Sequence, residues 1–263
     1  MALAFKRALV TGASSGIGKA FAERLGAART DLVLVARNRE RLEELAARLR
    51  ENNGCEVEVL QADLEDRDQL AAVEARLGRQ DIDLLVNNAG FGHTGGFADL
   101  PIERAQAQIN CNITALTRLA HAALTAMRTC GRGAILNVAS GAAFMPTPNL
   151  AVYAATKAYV VSLTHGLHEE AKRFGVTVSA VCPGFTRTEF QDRAHYDSRQ
   201  VPSFAWQTPE SVADEALAAL IARKVVCIPG LQNRLTMGLL TFVPSAVIAS
   251  LVGRMMRSET HTA

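Results

Sequence analysis

Val10-Thr11-Gly12-Ala13-Ser14-Ser15-Gly16-Ile17-Gly18 decides the fold. It joins an apolar run at Arg7–Val10 to a helical pattern at Ile17–Leu25. Glycine lets the chain turn tightly there. It also lets backbone N–H groups approach a bound pyrophosphate with no Cβ in the way. The helix N-terminus adds a partial positive charge. A strand, glycine turn and helix in this order open a nucleotide-binding α/β sheet.

Working outward, apolar runs alternate with helical patterns. Strands are predicted at Arg7–Val10, Asp31–Ala36, Glu56–Leu60, Leu84–Val86, Ala134–Val138, Thr177–Val181 and Val225–Ile228. Runs such as Leu32-Val33-Leu34-Val35 suit strands covered on both faces, as in a parallel sheet. Helices are predicted at Ile17–Leu25, Arg39–Arg50, Asp66–Leu77, Ile102–Arg128, Ala154–Phe174 and Pro209–Arg223. The expected fold is a single-domain, doubly wound parallel sheet of about seven strands with helices on both faces. Residues 1–230 form its catalytic part, and 231–263 a helical extension of the same domain.

Composition narrows the function. Apolar residues make up 49% of the 263, enough for a full core, and the formal net charge is only +2. No basic block calls for nucleic acid. The five cysteines are odd in number and lack Cys-x-x-Cys spacing. They are expected to be buried, reduced thiols, with no metal site. The first strand starts almost at once, so a cytoplasmic protein is expected.

The candidate cofactor contacts begin with Gly12, Ser14, Ser15, Gly16, Ile17 and Gly18. Sites that prefer NAD place an acidic residue after the second strand, to accept from the ribose hydroxyl. Here that strand ends Val35-Ala36-Arg37-Asn38, with no carboxylate to repel a 2′-phosphate. Arg37 can pair with one, and Ser14 and Asn38 add donors. NADP(H) is therefore expected. Asp63 and Leu64 follow the third strand, where a side chain can reach the adenine edge. Asn87-Asn88-Ala89-Gly90 follows the fourth, with Asn88, Ala89 and Gly90 assigned to the cofactor.

Tyr153-Ala154-Ala155-Thr156-Lys157 points to the reaction. Residues four apart share a helix face, so the Lys157 ammonium can sit near the Tyr153 phenol and the cofactor ribose. A nearby cation and the positive nicotinamide ring should lower the phenol from its usual value of about 10. Tyr153 can then serve as general acid in reduction and general base in oxidation. Ser140 lies just past the fifth strand, at the end that faces the ligand crevice. It can orient the carbonyl oxygen that Tyr153 protonates. Asn112 is an awkward mid-helix residue, and a water held by it would relay protons to Lys157.

Together these residues resemble the short-chain dehydrogenase/reductase family, in its smaller NADP-preferring, bacterial-type group of unassigned substrate. The resemblance rests on Thr11–Gly18, Asp63, Asn87–Gly90, Asn112, Ser140, Tyr153, Lys157 and Pro183-Gly184 in order. It implies a catalytic Asn112-Ser140-Tyr153-Lys157 set and hydride transfer at the nicotinamide. It also implies a Pro183-Gly184 turn, followed by Thr186 or Thr188 at the carboxamide. Ser15 departs from the basic residue that some NADP-preferring members carry. A homodimer or homotetramer through the helices of Asn112 and Tyr153 follows from the same precedent.

Residues 185–207 are expected to cover the substrate. Phe185, Phe190, Tyr196, Phe204 and Trp206 gather there, although aromatics are only 5% overall. They line an apolar pocket for a hydrophobic carbonyl or alcohol, or they simply pack the lid. His165 and His168 suggest a surface or subunit contact. Residues 235–252 are apolar but interrupted by Pro244. Two short amphipathic helices are expected there, closing the pocket or joining subunits, with peripheral membrane contact as the lesser alternative. The competing function is a non-catalytic NADP(H)-binding sensor or scaffold, which has no need of Ser140, Tyr153 and Lys157 together.

Overall fold

The computed structural model describes residues 5–197, 201–240 and 242–257. Positions 198–200 of the expected lid and positions 241 and 258–263 of the expected extension lie outside the described residues. Seven strands form one sheet: β1 (Arg7–Thr11), β2 (Asp31–Ala36), β3 (Val57–Gln61), β4 (Leu84–Asn87), β5 (Gly133–Val138), β6 (Val176–Val181) and β7 (Val226–Cys227). Their order is β3-β2-β1-β4-β5-β6-β7, and every pairing is parallel.

Alternate side chains feed two cores. Ala8, Val10, Leu32 and Leu34 point to one face. There α1 (Gly16–Ala27), α2 (Arg39–Asn53) and α8 (Pro209–Ile221) cover them. Leu9, Val33, Val35 and Leu85 point to the other. That face is covered by α3 (Arg67–Leu77), α5 (Leu116–Cys130) and the end of α6 (Ala151–Lys172). Burial on both faces is why β2 reads as an unbroken apolar run.

Strand order reverses between β1 and β4. Ligands of doubly wound sheets bind at that reversal, outside the carboxyl ends of the strands. Thr11 ends β1 and Asn87 ends β4, so the glycine turn and Asn88–Gly90 flank one crevice.

The long helix expected over Ile102–Arg128 is instead three pieces. α4 (Ile102–Ile109) runs into a π-helical turn at Asn110–Ala115, then into α5. A π turn adds one residue to a helical ring and is often found at functional sites. β7 is shorter than expected because only Val226 and Cys227 pair with β6.

After β6 the chain makes a strap containing α7 (Phe190–Arg193). The chain ends in α9 (Leu231–Leu240) and α10 (Ser245–Arg257). α9 departs from the amphipathic expectation: Met237 is buried, but the apolar Leu231, Leu235 and Leu239 face outward. No described helix is long and apolar enough to cross a membrane. All five cysteines are free; four are buried, but Cys130 is exposed. His168 also differs from its expectation. It points inward, and its Nδ1 lies 2.7 Å from the Val178 carbonyl oxygen.

Candidate active site

Gly12 and Gly16 adopt φ of 66° and 54°, the left-handed region that favours glycine. Gly18 is needed for closeness: a Cβ there would lie 2.3 Å from the Gly12 carbonyl oxygen. Thr11 holds the turn to β4. Its Oγ1 accepts from the backbone N–H groups of Asn88 and Ala89, both at 2.9 Å. The Asn88 amide donates to the Thr11 carbonyl at 2.8 Å. Asn88 thus braces the glycine turn, and Thr11 is a positioning residue that its place in the motif alone did not reveal.

The residues present fit a dinucleotide. Ser15 stands at the N-cap of α1, yet its hydroxyl makes no capping bond. Asn38, Asp66 and Thr208 do cap α2, α3 and α8. The α1 amides therefore remain available, beside glycines whose missing side chains keep the backbone open to an anion. Thr188 lies across the turn, its Cγ2 3.1 Å from where a Gly16 Cβ would sit. Thr186 turns away and donates to the Gly184 carbonyl at 3.1 Å. Of the two threonines, Thr188 is the one beside the glycine turn.

Arg37 is exposed and loosely held, 3.9 Å from a carboxylate oxygen of Asp63 and of Glu65. Nearby polar groups are less free than expected. The Asn38 side-chain Oδ1 accepts from Arg41 N at 3.0 Å, and an Asp63 carboxylate oxygen accepts from Glu65 N at 3.0 Å. Leu64 is buried beside them.

The reacting groups come from three elements. Ser140 follows β5 and opens a 3-10 turn at Gly141–Phe144, accepting from Ala142 N at 3.2 Å. Tyr153 and Lys157 lie one turn apart on α6. The Lys157 ammonium is 5.7 Å from the centre of the Tyr153 ring and donates to the Val138 carbonyl at 2.9 Å. Asn112 lies in the π-helical turn, fully buried. Its Oδ1 accepts from Phe91 N at 3.0 Å, while Nδ2 donates to Phe91 O at 2.9 Å and to Thr156 Oγ1 at 3.1 Å. Thr156 in turn donates to the Tyr153 carbonyl at 2.7 Å. This side-chain link from Asn112 to Tyr153 was not foreseen, although Thr156 sits inside the Tyr153–Lys157 segment. Gly90 lets both groups approach: a Cβ there would meet Asn112 Oδ1 at 2.9 Å and Lys157 Nζ at 3.3 Å.

Without the nicotinamide ring, the protein's electrostatics act on the phenol in the other direction. Burial pushes the Tyr153 phenol up to about 12, while the Ser140 side chain pulls it down. Burial lowers Lys157 to about 8. The protein's own atoms therefore raise the phenol, because desolvation outweighs the bond with Ser140.

The C-terminal helices also reach the site. A Cβ on Gly184 would lie 2.6 Å from the Asn233 amide nitrogen, and one on Gly141 would lie 3.1 Å from Met237 Cε. Asn233 donates to Gln207 Oε1 and to the Pro229 carbonyl, each at 2.9 Å. α9 thus backs the Pro183-Gly184 turn.

A crevice at the strand reversal, bordered by a glycine turn and a Ser-Tyr-Lys cluster, defines a nucleotide-dependent enzyme. A family model for short chain dehydrogenases matches residues 6–198. The chain belongs to that family, and is an oxidoreductase. Among solved structures it resembles a short-chain dehydrogenase from Sphingobium yanoikuyae in complex with NADPH. The two share 42% identity at a TM-score of 0.82, over 90% of this chain and 96% of that one. It also resembles the bulky-bulky ketone specific alcohol dehydrogenase from Comamonas testosteroni, with 35% identity, a TM-score of 0.78 and coverage of 92% and 96%. A very-long-chain 3-oxoacyl-CoA reductase of Anas platyrhynchos is 34% identical over 218 residues, 81% of this chain and 68% of the relative.

Proposed function

We propose that the protein is an NADP(H)-dependent reductase of bulky hydrophobic ketones, and oxidises the matching secondary alcohols. The observation that carries this is the convergence of Ser140, Tyr153 and Lys157 at the carboxyl edge of β5. NADP(H), when bound, supplies or accepts the hydride at its nicotinamide. The glycine turn and the open α1 amides would hold its pyrophosphate, and Arg37 would offer a cation to its 2′-phosphate. The NADPH complex of the Sphingobium relative supports this cofactor.

Tyr153 gives its phenol proton to the carbonyl oxygen in reduction and takes one back in oxidation. Ser140 donates to the same oxygen and fixes its direction. Lys157, bonded to Val138, keeps a positive charge within reach of the phenolate. A phenol at about 12 is fully protonated at neutral pH, which suits reduction. Asn112 is tied to Tyr153 through Thr156, which favours a structural share in its role beside the proton relay.

An apolar substrate is supported by the strap. Phe185 stacks near Tyr196 and Trp206, at 5.9 and 5.7 Å between ring centres. Phe190 packs on Tyr153. The Comamonas relative's named preference agrees. We place the enzyme in the cytoplasm, where its free thiols stay reduced, as a homodimer or homotetramer through α5 and α6.

Consumption of NADPH with a panel of aryl ketones, read at 340 nm, tests the proposal. Turnover is expected with NADPH and a two-sided bulky ketone. Tight NADPH binding without turnover of any ketone or alcohol would leave only the sensor reading. Light scattering checks the oligomer, and fractionation the compartment.

A further inference from the structure

The strap crosses the dinucleotide cleft from the β6 side, and three anchors hold it. At its base, Arg187 N donates to Gln207 O at 2.9 Å, and Gln207 N to Phe185 O at 2.8 Å. At its far end, Thr94 N donates to the Ala194 carbonyl at 2.9 Å. Between them, Glu189 accepts twice from Arg41 Nη1, at 2.9 and 3.1 Å, and also pairs with Arg193. Arg41 stands on the first turn of α2, after β2. The sheet order puts β1, β4 and β5 between β2 and β6, so this ion pair spans the crevice.

The next residue, Phe190, sits on the reacting centre. Its ring centre is 5.3 Å from that of Tyr153. Its Cζ is 3.1 Å from where a Gly92 Cβ would sit. Phe190 therefore fills the space over the phenol, where a substrate must lie. The only side-chain ion pair from the adjoining helix across the cleft, among the described residues, is Arg41–Glu189. Both partners are about half exposed, at 44% and 45%, so salt weakens the pair.

We propose that Arg41 and Glu189 are positioning residues whose clasp holds Phe190 against Tyr153, and that Phe190 is the wall that limits substrate size. The size-limiting role rests on the ketone reductase reading above; the clasp does not.

Hydrogen exchange on the full chain without nucleotide tests the clasp. The amides of Arg193 and Ala194 bond within α7, to Glu189 and Phe190. In Glu189→Gln and in Arg41→Gln they should exchange several-fold faster, and 0.5 M salt should move the unsubstituted protein the same way. In an Arg193→Gln background, which removes the like charge beside position 189, the charge swap Arg41→Glu with Glu189→Arg should restore slow exchange. Unchanged exchange in both single variants, or no recovery in the swap, overturns the clasp.

The wall is read as the ratio of kcat/KM for a ketone bearing two bulky groups to that for a methyl ketone. Phe190→Ala should raise this ratio about tenfold, mainly through KM of the larger ketone. Glu189→Gln should raise it about two- to threefold, in keeping with a half-exposed pair. An unchanged ratio in Phe190→Ala overturns the wall. A changed KM for NADPH with an unchanged ratio in Arg41→Gln assigns Arg41 to the nucleotide and overturns its positioning role. Should no ketone be reduced, the function above fails, while exchange still decides the clasp.

Discussion

The strands from β1 to β6 and the strap that covers their carboxyl ends are held in different ways. Each neighbouring strand pair shares several registered residues, and the interior positions of β1, β2, β4, β5 and β6 are buried. Among the described residues, the strap closes on itself at Thr186 and Gln207 and meets the rest through the Thr94–Ala194 backbone bond, the Asn233–Gln207 bond, the Phe190–Tyr153 contact and the half-exposed Arg41–Glu189 pair. Groups that must meet within tenths of an ångström are carried by the first region: Ser140 at the end of β5, Tyr153 and Lys157 on α6. The residues proposed to face the substrate sit on the second. Low local stability is what a segment that opens and closes requires, and precise constellations belong on rigid elements.

If chemistry belongs to the rigid region alone, Tyr153→Phe isolates it. Removing the hydroxyl takes away the proton donor but keeps the ring that packs on Phe190. A loss of about 10³-fold in kcat is expected, with NADPH affinity within about twofold of the original by fluorescence titration. Retention of a tenth of the activity would show that proton transfer is shared with another group.

Gly18→Ala attacks the same region through its backbone. The added carbon would press on the Gly12 carbonyl and the Asn88 amide, at 2.3 and 2.4 Å. Neither is the loose end of a flexible side chain. Overpacking of this kind costs about 2–3 kcal/mol, or roughly 5 °C in Tm for a chain of this size. Calorimetry should show the drop, with weakened NADPH binding. An equivalent loss is not expected for alanine at Gly166 on α6, where a Cβ meets open space.

Lys157 supplies a pH signature. Its ordinary value is 10.5, and burial lowers it to about 8 in the fold. The folded protein therefore binds fewer protons than the unfolded chain between those values. The unfolding free energy should climb as pH rises from about 8 toward 10.5, and stay flat in this respect below 8. Tyr153 acts oppositely, since its raised value removes stability only as pH rises from 10 toward 12. Burial raises the thiols of Cys55, Cys111, Cys182 and Cys227 above their ordinary 9.0, so they remove stability as pH rises past 9, and the Lys157 climb stands out only against a reference that keeps those thiols. The climb, of order 2 kcal/mol, should vanish in Lys157→Met.

The frame was legible because burial on both faces writes continuous apolar runs such as Leu32–Val35 into the sequence. The glycine turn and the Tyr153–Lys157 spacing were legible because both are local. What stayed hidden depends on long-range placement. A π turn at Asn110–Ala115 keeps much the same apolar rhythm as an α-helix, so periodicity did not show it. The Arg41–Glu189 pair joins positions 148 residues apart. The upward push on Tyr153 comes from desolvation, which the spacing of Tyr and Lys does not encode. Nor does that spacing show that α9 brings Asn233 and Met237 behind Gly184 and Gly141.

Arg37 sharpens the comparison at the edge of the rigid region, where a side chain is as loosely held as those of the strap. It is 65% exposed and 3.9 Å from both Asp63 and Glu65. Burial and the charge on Asp63 raise Glu65, while Arg37 lowers it. Arg37 thus does two things at once: it offers a cation to a 2′-phosphate, and it offsets two carboxylates that would repel one. Arg37→Ala removes both effects. NADPH affinity should fall about tenfold, consistent with an exposed charge-assisted contact of roughly 1–1.5 kcal/mol. NADH affinity should change by less than twofold, because it lacks the phosphate. The decline should shrink in high salt, which screens attraction and repulsion together. Equal losses for both cofactors would mean that Arg37 serves the fold of the β2–α2 connection instead of the phosphate.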